Sequence, residues 1–210
     1  AIDLDRDTAV IAEHNVIRNS GDDGIEIRLH NYQGPELEII FRDNLIVNSD
    51  QDGIQIVDYD GMTSRVMHFE RNVIVNSGKA AIGINPDGSS RQTFAAADMD
   101  EPVFILNNTI VGADHGISGG DNVIARNNII TGVQVAVNGV DGDSEVSHLL
   151  LWDAATGIRD SNVDRTTLFE ADPLLAADYR LGSASPAIDA GTDVGFPFEG
   201  SAPDLGAFET

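Results

Sequence analysis

Apolar and polar residues alternate with a period of two along most of this chain, and the alternation comes in units that each open with an asparagine. These asparagines, each followed two residues later by isoleucine, are Asn15, Asn44, Asn72, Asn108 and Asn128. Apolar residues stand five and three positions before each asparagine: Val10/Ala12, Ile39/Phe41, Met67/Phe69, Val103/Ile105 and Val123/Ala125. Alternation of this kind, rich in β-branched residues, indicates strands. No window has a helical period, so the pattern predicts an all-β chain.

A second phrase follows eight or nine residues after the asparagine in the first four units. It reads Gly24-Ile25-Glu26-Ile27, Gly53-Ile54-Gln55-Ile56, Ala81-Ile82-Gly83-Ile84 and Gly116-Ile117-Ser118. Successive asparagines are 29, 28, 36 and 20 residues apart, and another 20 residues leads to His148. About 20 residues fit three short strands and three corners, which make one turn of a solenoid. We therefore predict a parallel β-helix of about six to seven turns over residues 1–160.

Stacking explains why the same residues return. Successive turns of a parallel β-helix lie about 4.8 Å apart, so equivalent side chains form columns. We expect the asparagines to form a hydrogen-bonded ladder that also satisfies backbone groups at a corner. His148 is expected to occupy the next position of that ladder. The isoleucines form the core, at roughly 1.5–3 kcal/mol for each buried side chain.

The repeat stops near Ser161, and residues 161–210 are rich in proline and turn residues. We predict that this segment is an irregular tail that caps the last turn. Outward positions beside the asparagine corner form an apolar stripe: Val16, Leu45, Val73, Ile129, Val47, Val75 and Val111. Because such a stripe rarely stays in contact with water, we expect the tail to cover it. A missing domain or a partner protein is the alternative cover.

Composition limits the partners. The chain has 35 acidic and 12 basic residues, a net charge of −23 and no cysteine. This charge disfavours nucleic acid and anionic membranes and suits salty surroundings or divalent cations. No segment resembles a membrane span or signal peptide. Ala1-Ile2-Asp3-Leu4 matches Gly24-Ile25-Glu26-Ile27, so the chain starts within a turn. We expect a longer parent polypeptide, whose missing N-terminal portion or a partner domain would adjoin the first turn.

The phrase Asn-x-Ile-x-Asn-Ser followed by Gly-Ile-x-Ile resembles the right-handed parallel β-helix repeat of the pectate-lyase-like superfamily, over roughly residues 1–160. The segments around Asp172-Pro173-Leu174, Ser185-Pro186-Ala187 and Asp204-Leu205-Gly206 resemble the C-terminal segment of secreted or surface-anchored bacterial β-helix proteins. The resemblance implies an extracellular or cell-surface location in a bacterium and a polysaccharide ligand, usually an acidic one. The superfamily includes lyases, hydrolases, epimerases and proteins without catalytic activity, so it does not fix an activity.

One edge of the coil is the candidate site. The first three turns carry insertions after the second phrase, from Arg28 to about Glu36, Val57 to about Ser64 and Asn85 to about Pro102. Insertions stacked on one edge of a solenoid usually form the wall of a binding site. The corners before the phrase are expected to stack as Asp22-Asp23, Gln51-Asp52, Lys79-Ala80 and Asp114-His115.

Asp23, Asp52 and His115 resemble the acid, base and histidine of polygalacturonases, although the aspartates come in a different order and no Arg-x-Lys motif follows. Carboxylates on adjacent turns would split their pKa values and so provide one proton donor and one base. The alternative is that these corner aspartates only satisfy turn backbone.

Lyase chemistry would need a cation to neutralise a uronate carboxylate and a base to remove the C5 proton. Ca²⁺ takes six to eight oxygen ligands, and the candidate ligands are Asp22, Asp58 and Asp60, beside Asp23 and Asp52. Arg28 or Lys79 would be the base or the clamp for the substrate carboxylate. The candidates for substrate contacts are Glu26, Gln55, His30, Tyr32 and Tyr59.

The sequence favours an extracellular polysaccharide-binding β-helix domain, with Ca²⁺-assisted uronan lyase chemistry as an extension. Two alternatives stay open. One is a non-catalytic structural or adhesive β-helix of a larger surface protein, and the other is a polygalacturonase-like glycoside hydrolase.

Overall fold

The computed structural model describes residues 1–59, 63–83 and 101–210, with Asp58 described by its backbone alone. Strands account for most of residues 1–160, and a short 3₁₀ turn spans Arg165–Thr167. The strands are β1 Ile2–Leu4, β2 Val10–Glu13, β3 Val16–Ser20, β4 Ile25–Leu29, β5 Leu37–Arg42, β6 Leu45–Ser49, β7 Ile54–Asp58, β8 Arg65–Glu70, β9 Val73–Gly83, β10 Val103–Leu106, β11 Thr109–Ser118, β12 Val123–Arg126, β13 Ile129–Asn138, β14 Glu145–Ser147, β15 Leu149–Arg159 and β16 Leu168–Glu170. Within these ranges, no helix is long and apolar enough to cross a membrane.

Every pairing between these strands is parallel and joins one turn to the next. The first sheet contains β2, β5, β8, β10, β12 and β14. The second contains β3, β6, the first halves of β9, β11, β13 and β15, and β16. The third contains β1, β4, β7 and the second halves of the four long strands. The chain is all-β and has the architecture of a right-handed parallel β-helix, as predicted.

The asparagine ladder is confirmed. The backbone N–H and the side-chain amide of each ladder residue both donate to Oδ1 of the asparagine in the next turn. From Asn15 to Asn128 these distances are 3.0 and 3.0, 3.1 and 2.9, 2.9 and 3.1, and 2.8 and 3.0 Å. From Asn44 onwards the side-chain amides also donate to carbonyl oxygens of the preceding turn, such as that of Phe41, 2.8 Å from Asn72 Nδ2. The ladder thereby satisfies the buried corner.

The prediction for His148 is wrong. Ile129 pairs with Leu150, so the last turn is one residue longer than the turn before it, and Leu149 occupies the ladder position. His148 instead continues the column immediately before the ladder, where every described member has a left-handed backbone: His14, Asp43, Arg71, Asn107, Asn127 and His148, with φ between 49 and 59°. The ladder ends at Asn128 because Leu149, the equivalent residue of the next turn, has no side-chain amide group.

A second left-handed column explains why the repeated phrase contains a second asparagine. Asn19, Asn48 and Asn76 have φ values of 56, 58 and 54°, and Gly112 and Gly132 occupy the later turns with φ of 73 and 67°. Asparagine and glycine are the residues that adopt this conformation most readily. These bends separate the second sheet from the third.

The core lies between the sheets and is built from columns of identical or similar side chains. The predicted inward positions of the first sheet are confirmed, since Ile39, Phe41, Met67 and Phe69 are fully buried. On the third sheet the column runs through Ile25, Ile54, Ile82, Ile117 and Val137, all completely buried. Each turn therefore buries its apolar face only against its neighbours.

The tail packs on the apolar stripe of the second sheet. Leu181, Ala187 and Leu205 form one cluster with Ile129 and Leu150. Nearer the first turn, Ala207, Tyr179 and Phe208 pack with five stripe residues: Leu45, Val47, Val73, Val75 and Val111. Val16, in the first turn, remains 62 % exposed. The described tail thus covers the stripe except at its first turn.

Removing one rung of the ladder should destabilise the coil strongly. Asn72→Ala leaves the Phe41 carbonyl and both Asn44 donors without their partners in a completely buried corner. Because each unsatisfied buried group costs about 1–3 kcal/mol, we expect the free energy of unfolding to fall by roughly 3–5 kcal/mol. Denaturant titration measures the loss. The control Gln134→Ala truncates an exposed amide of β13, and an equal loss in both variants would contradict a special role for the ladder.

Candidate functional site

Equivalent positions of the third sheet, opposite the core-facing isoleucines, align along the coil in one column, which we call the outer column. Pairing of successive strands aligns Asp3, Glu26, Gln55, Gly83, Ser118, Asn138 and Arg159. The column is acidic over the first two turns and ends at an arginine. Gly83 interrupts it, with φ of 117° and the carbonyl oxygen of Ser118 where a Cβ would lie. Two of the predicted substrate-binding residues, Glu26 and Gln55, belong to this column.

The predicted corner stack is present beside the outer column. Oδ1 of Asp23 accepts the Asp52 backbone N–H at 2.8 Å, and Oδ1 of Asp52 accepts the Ala80 N–H at 2.7 Å. His115 pairs with Ala80 in the next turn. The register shift between Ala113 and His115 matches the extra corner residue of the earlier turns. Asp23 and Asp52 are therefore close together, whereas His115 lies two turns from Asp52, roughly 10 Å along the stack.

Both corner aspartates satisfy turn backbone, which is the structural alternative raised from the sequence. Asp52 is completely buried and its Oδ2 also accepts from Gln55 Nε2 at 3.0 Å. Asp23 is 5 % exposed. Burial raises the pKa of Asp23 to about 7, and repulsion from Asp52, Asp22 and Glu26 adds to the increase against the opposing backbone hydrogen bond. Asp23 is thus a carboxyl group that can hold a proton near neutral pH.

Arg28 links the two acidic members of the outer column. Its guanidinium lies 2.9 Å from Asp3 and 2.8 Å from Glu26. Burial raises the pKa of Glu26, and Arg28 opposes that increase. Arg28 is therefore a positive group held at the acidic end of the column, where a base or carboxylate clamp was predicted.

Aromatic residues lie at the ends of β4 and β7. The rings of His30 and Tyr59 stack with centroids 4.3 Å apart, and Nε2 of His30 lies 2.7 Å from Asp5. Tyr32 faces the guanidinium of Arg65 at 5.4 Å. Arg65 is fully buried and donates to the carbonyl oxygens of His30, Thr63 and Arg6 at 2.8, 2.8 and 2.9 Å. Because it binds three segments at once, Arg65 fixes the first insertion against its neighbours.

The far end of the outer column holds a network that sequence reasoning missed. Arg159 donates to Asn138 Oδ1 at 2.6 Å and contacts His115 Nε2 at 3.0 Å. Asn138 reaches Ser118 Oγ at 3.4 Å. Since a guanidinium cannot accept a hydrogen bond, His115 Nε2 is the acceptor. Burial, together with the charge of Arg159, lowers the pKa of His115, so His115 is held neutral.

Arg159 differs from most arginines of this acidic chain. Arg28, Arg42 and Arg71 pair with carboxylates, whereas the described partners of Arg159 are the neutral Asn138 and His115. The signal was available in the sequence. Arg159 follows Gly157-Ile158, just as Glu26 follows Gly24-Ile25, and extending the outward position through the later turns would have found it.

The predicted calcium ligands are not gathered into a site by the described residues. Within that part of the chain, no three acidic or histidine side chains are arranged to hold a metal ion. Asp22 accepts from Gln51 Nε2 at 2.7 Å. Asp60 and most of the third insertion lie outside the described residues, as does the Asp58 side chain. Lys79 is half-buried at the corner, where its backbone N–H donates to the Gln51 carbonyl at 3.1 Å.

Comparisons of the chain with protein-family models, with curated proteins and with solved structures found no match.

The raised pKa of Asp23 predicts a pH dependence of stability. The folded chain holds a proton that the unfolded chain releases between about pH 4 and 7, so this group's contribution to stability falls as the pH rises through that window. At about 1.4 kcal/mol per pKa unit, the loss has an upper limit of about 4 kcal/mol. Asp23→Asn keeps an acceptor for the Asp52 N–H and should lose less stability than the wild type between pH 4 and 8, by denaturant unfolding.

Asp22→Asn is the matched control, because it removes the same charge from an exposed neighbouring side chain. It should leave most of the wild-type pH dependence in place. Identical pH profiles for the wild type and Asp23→Asn would show that Asp23 titrates in its ordinary range.

Proposed function

We propose that this protein is an extracellular or cell-surface β-helix domain that binds an acidic polysaccharide along the outer column of its third sheet. The resemblance to the pectate-lyase-like superfamily supports the location and the ligand class. The observation that carries the proposal is Arg159. This cation stands at the end of the outer column, and its described partners, Asn138 and His115, are both neutral.

The chemistry of the column fits an oligosaccharide chain. Gln55, which is half-buried, offers an amide that exchanges hydrogen bonds with hydroxyls, whereas Ser118 and Asn138 are buried and support Arg159 from beneath. Arg159 offers a planar fork suited to a carboxylate. Its orientation is fixed by Asn138 and His115, so little side-chain freedom would be lost on binding. The stacked rings of His30 and Tyr59 add a flat surface near the other end, of the kind on which sugar rings pack.

Loss of the Arg159 fork should weaken the binding of an acidic polymer. We expect Arg159→Gln to lower the affinity for polygalacturonate at least tenfold, or about 1.4 kcal/mol, in calorimetric titration at low salt. Arg159→Lys keeps the charge but cannot hold Asn138 and His115 with one planar group, so it should restore affinity only in part.

Arg42→Gln provides the control, because Arg42 pairs with Glu13 on the first sheet at 2.6 Å. It removes the same charge from another surface and should leave the affinity unchanged. Equal weakening by both variants would mean that only net charge matters. Equally tight binding of the uncharged polymer dextran would overturn the acidic ligand class.

Cleavage of the bound polymer is a second candidate function. The observation that favours it is the pair of adjacent carboxyl groups, Asp23 and Asp52, with the pKa of Asp23 raised to about 7. Arg28 and Lys79 are the proposed bases or carboxylate clamps for β-elimination, and Ca²⁺ is the proposed cofactor. The polygalacturonase-like hydrolase and the non-catalytic surface domain remain the alternatives.

One assay separates these candidates. Alginate, pectate and chondroitin are incubated with the protein, with and without Ca²⁺, while the ultraviolet absorbance of unsaturated ends and the amount of reducing ends are followed. Absorbance indicates a lyase, reducing ends alone indicate a hydrolase, and neither indicates a binding or structural domain. If a lyase is found, Asp52→Asn and Lys79→Ala should each slow it by about 100-fold. Asp52→Asn retains an acceptor for the Ala80 N–H, and activity that survives both changes would place the catalytic groups elsewhere.

A further inference from the structure

A groove of about 390 Å³ lies on the second sheet beside the tail, and we call it the tail groove. Its floor is lined by Val16, Leu45 and Val73 on three successive turns, of which Val16 is open, Leu45 is half-buried and Val73 is only 3 % exposed beneath the tail. Two aromatic residues of the tail, Tyr179 and Phe208, close one end. This volume is within the range of about 300–1,000 Å³ that small-molecule sites occupy.

The floor of the tail groove offers only C–H surface. Val16 is 62 % exposed. The backbone N–H groups of Leu45 and Val73 already donate to the carbonyl oxygens of Asn15 and Asn44, both at 2.9 Å. A peptide strand could therefore not pair with the floor at these residues. An occupant must place an apolar face on it.

The long wall of the tail groove is polar but balanced in charge. Arg71 donates to both oxygens of Asp43, at 2.8 and 2.9 Å, and its guanidinium lies over the ring of Phe196 at 4.5 Å. His14 adjoins this pair on the first turn. At the rim stands Asp178, an exposed carboxylate 3.7 Å from Arg180. The wall thus presents fixed donors and acceptors without a spare positive charge, which disfavours an anionic ligand.

The end wall is held in an unusual conformation. Tyr179 has φ of 66°, a left-handed backbone that tyrosine rarely adopts, and its N–H donates to the Ala176 carbonyl at 2.9 Å. Strained residues of this kind concentrate at ligand clamps and other functional positions. The turn around Tyr179 places its side chain at the open end of the stripe, where it packs with Phe208.

We infer that the tail groove binds one neutral sugar unit. A sugar ring has a C–H face that can lie on Val16 and the accessible part of Leu45 and against Tyr179. Its hydroxyl edge can donate to Asp43 or Asp178 and accept from Arg71 or His14. This site uses residues of the asparagine corner, the second sheet and the tail, so it is separate from the outer column and independent of the proposed function.

The test uses the methyl glycosides of glucose, galactose and mannose as probes. In saturation-transfer NMR titrations of the whole chain, at least one should bind with a dissociation constant in the millimolar range, on the order of 1 mM. Val16→Lys places a long charged side chain on the exposed floor, and we expect it to weaken that binding at least tenfold. Ile11→Lys is the control, because Ile11 is equally exposed, at 58 %, but lies on the first sheet.

Several results would overturn the inference: no binding of any of the three glycosides, unchanged binding by Val16→Lys, or tighter binding of methyl glucuronide than of the neutral probes. A wild-type dimer that Val16→Lys dissociates in sedimentation would assign the groove to a second copy of the chain. Arg159→Gln should leave glycoside binding intact, so a failure of the proposed function and a failure of this inference can be told apart.

Discussion

The structure depends on vertical hydrogen bonding between equivalent amides at one corner of the coil. Asn44, Asn72 and Asn108 each satisfy the carbonyl of the turn before and accept two N–H donors. At a corner the strands end, so buried backbone N–H and C=O groups would otherwise lack hydrogen-bond partners. Because the same residue does this in every turn from Asn44 to Asn128, it fixes the vertical alignment of the turns. The isoleucine columns can then pack at the same height in each layer.

The corner before the third sheet uses the same solution with carboxylates, and there structure and chemistry overlap. Asp23 and Asp52 accept backbone N–H groups of the next turn much as the asparagines do. An amide would do this without an ionisation cost, whereas a carboxylate buried beside another carboxylate retains its proton to near neutral pH. Aspartates at these positions are therefore costly if they serve only as caps. A carboxyl group kept at that cost is one that can also exchange a proton near neutral pH.

The sequence was sufficient for the fold because period-two alternation and recurring asparagines encode register directly. It was sufficient for the corner stack for the same reason. It misplaced His148, because one turn is a residue longer and nothing in the local pattern marks which residue is added. It missed Arg159, whose outward position the repeat marks but whose neutral partners, Asn138 and His115, no local pattern indicates. Side-chain hydrogen bonds between turns depend on tertiary geometry, as do the contacts of the inserted loops. The repeat pattern does not predict either of them.

The insertions after the second phrase have a consequence for how such a protein changes over time. Turn length varies from 20 to 36 residues between successive asparagines, yet the strands on either side of each insertion keep their pairing. Lengthening a loop therefore alters the rim without disturbing the layers beneath it. The inserted loops can therefore change in length during evolution while the paired strands and the asparagine ladder, which stabilise the coil, stay the same.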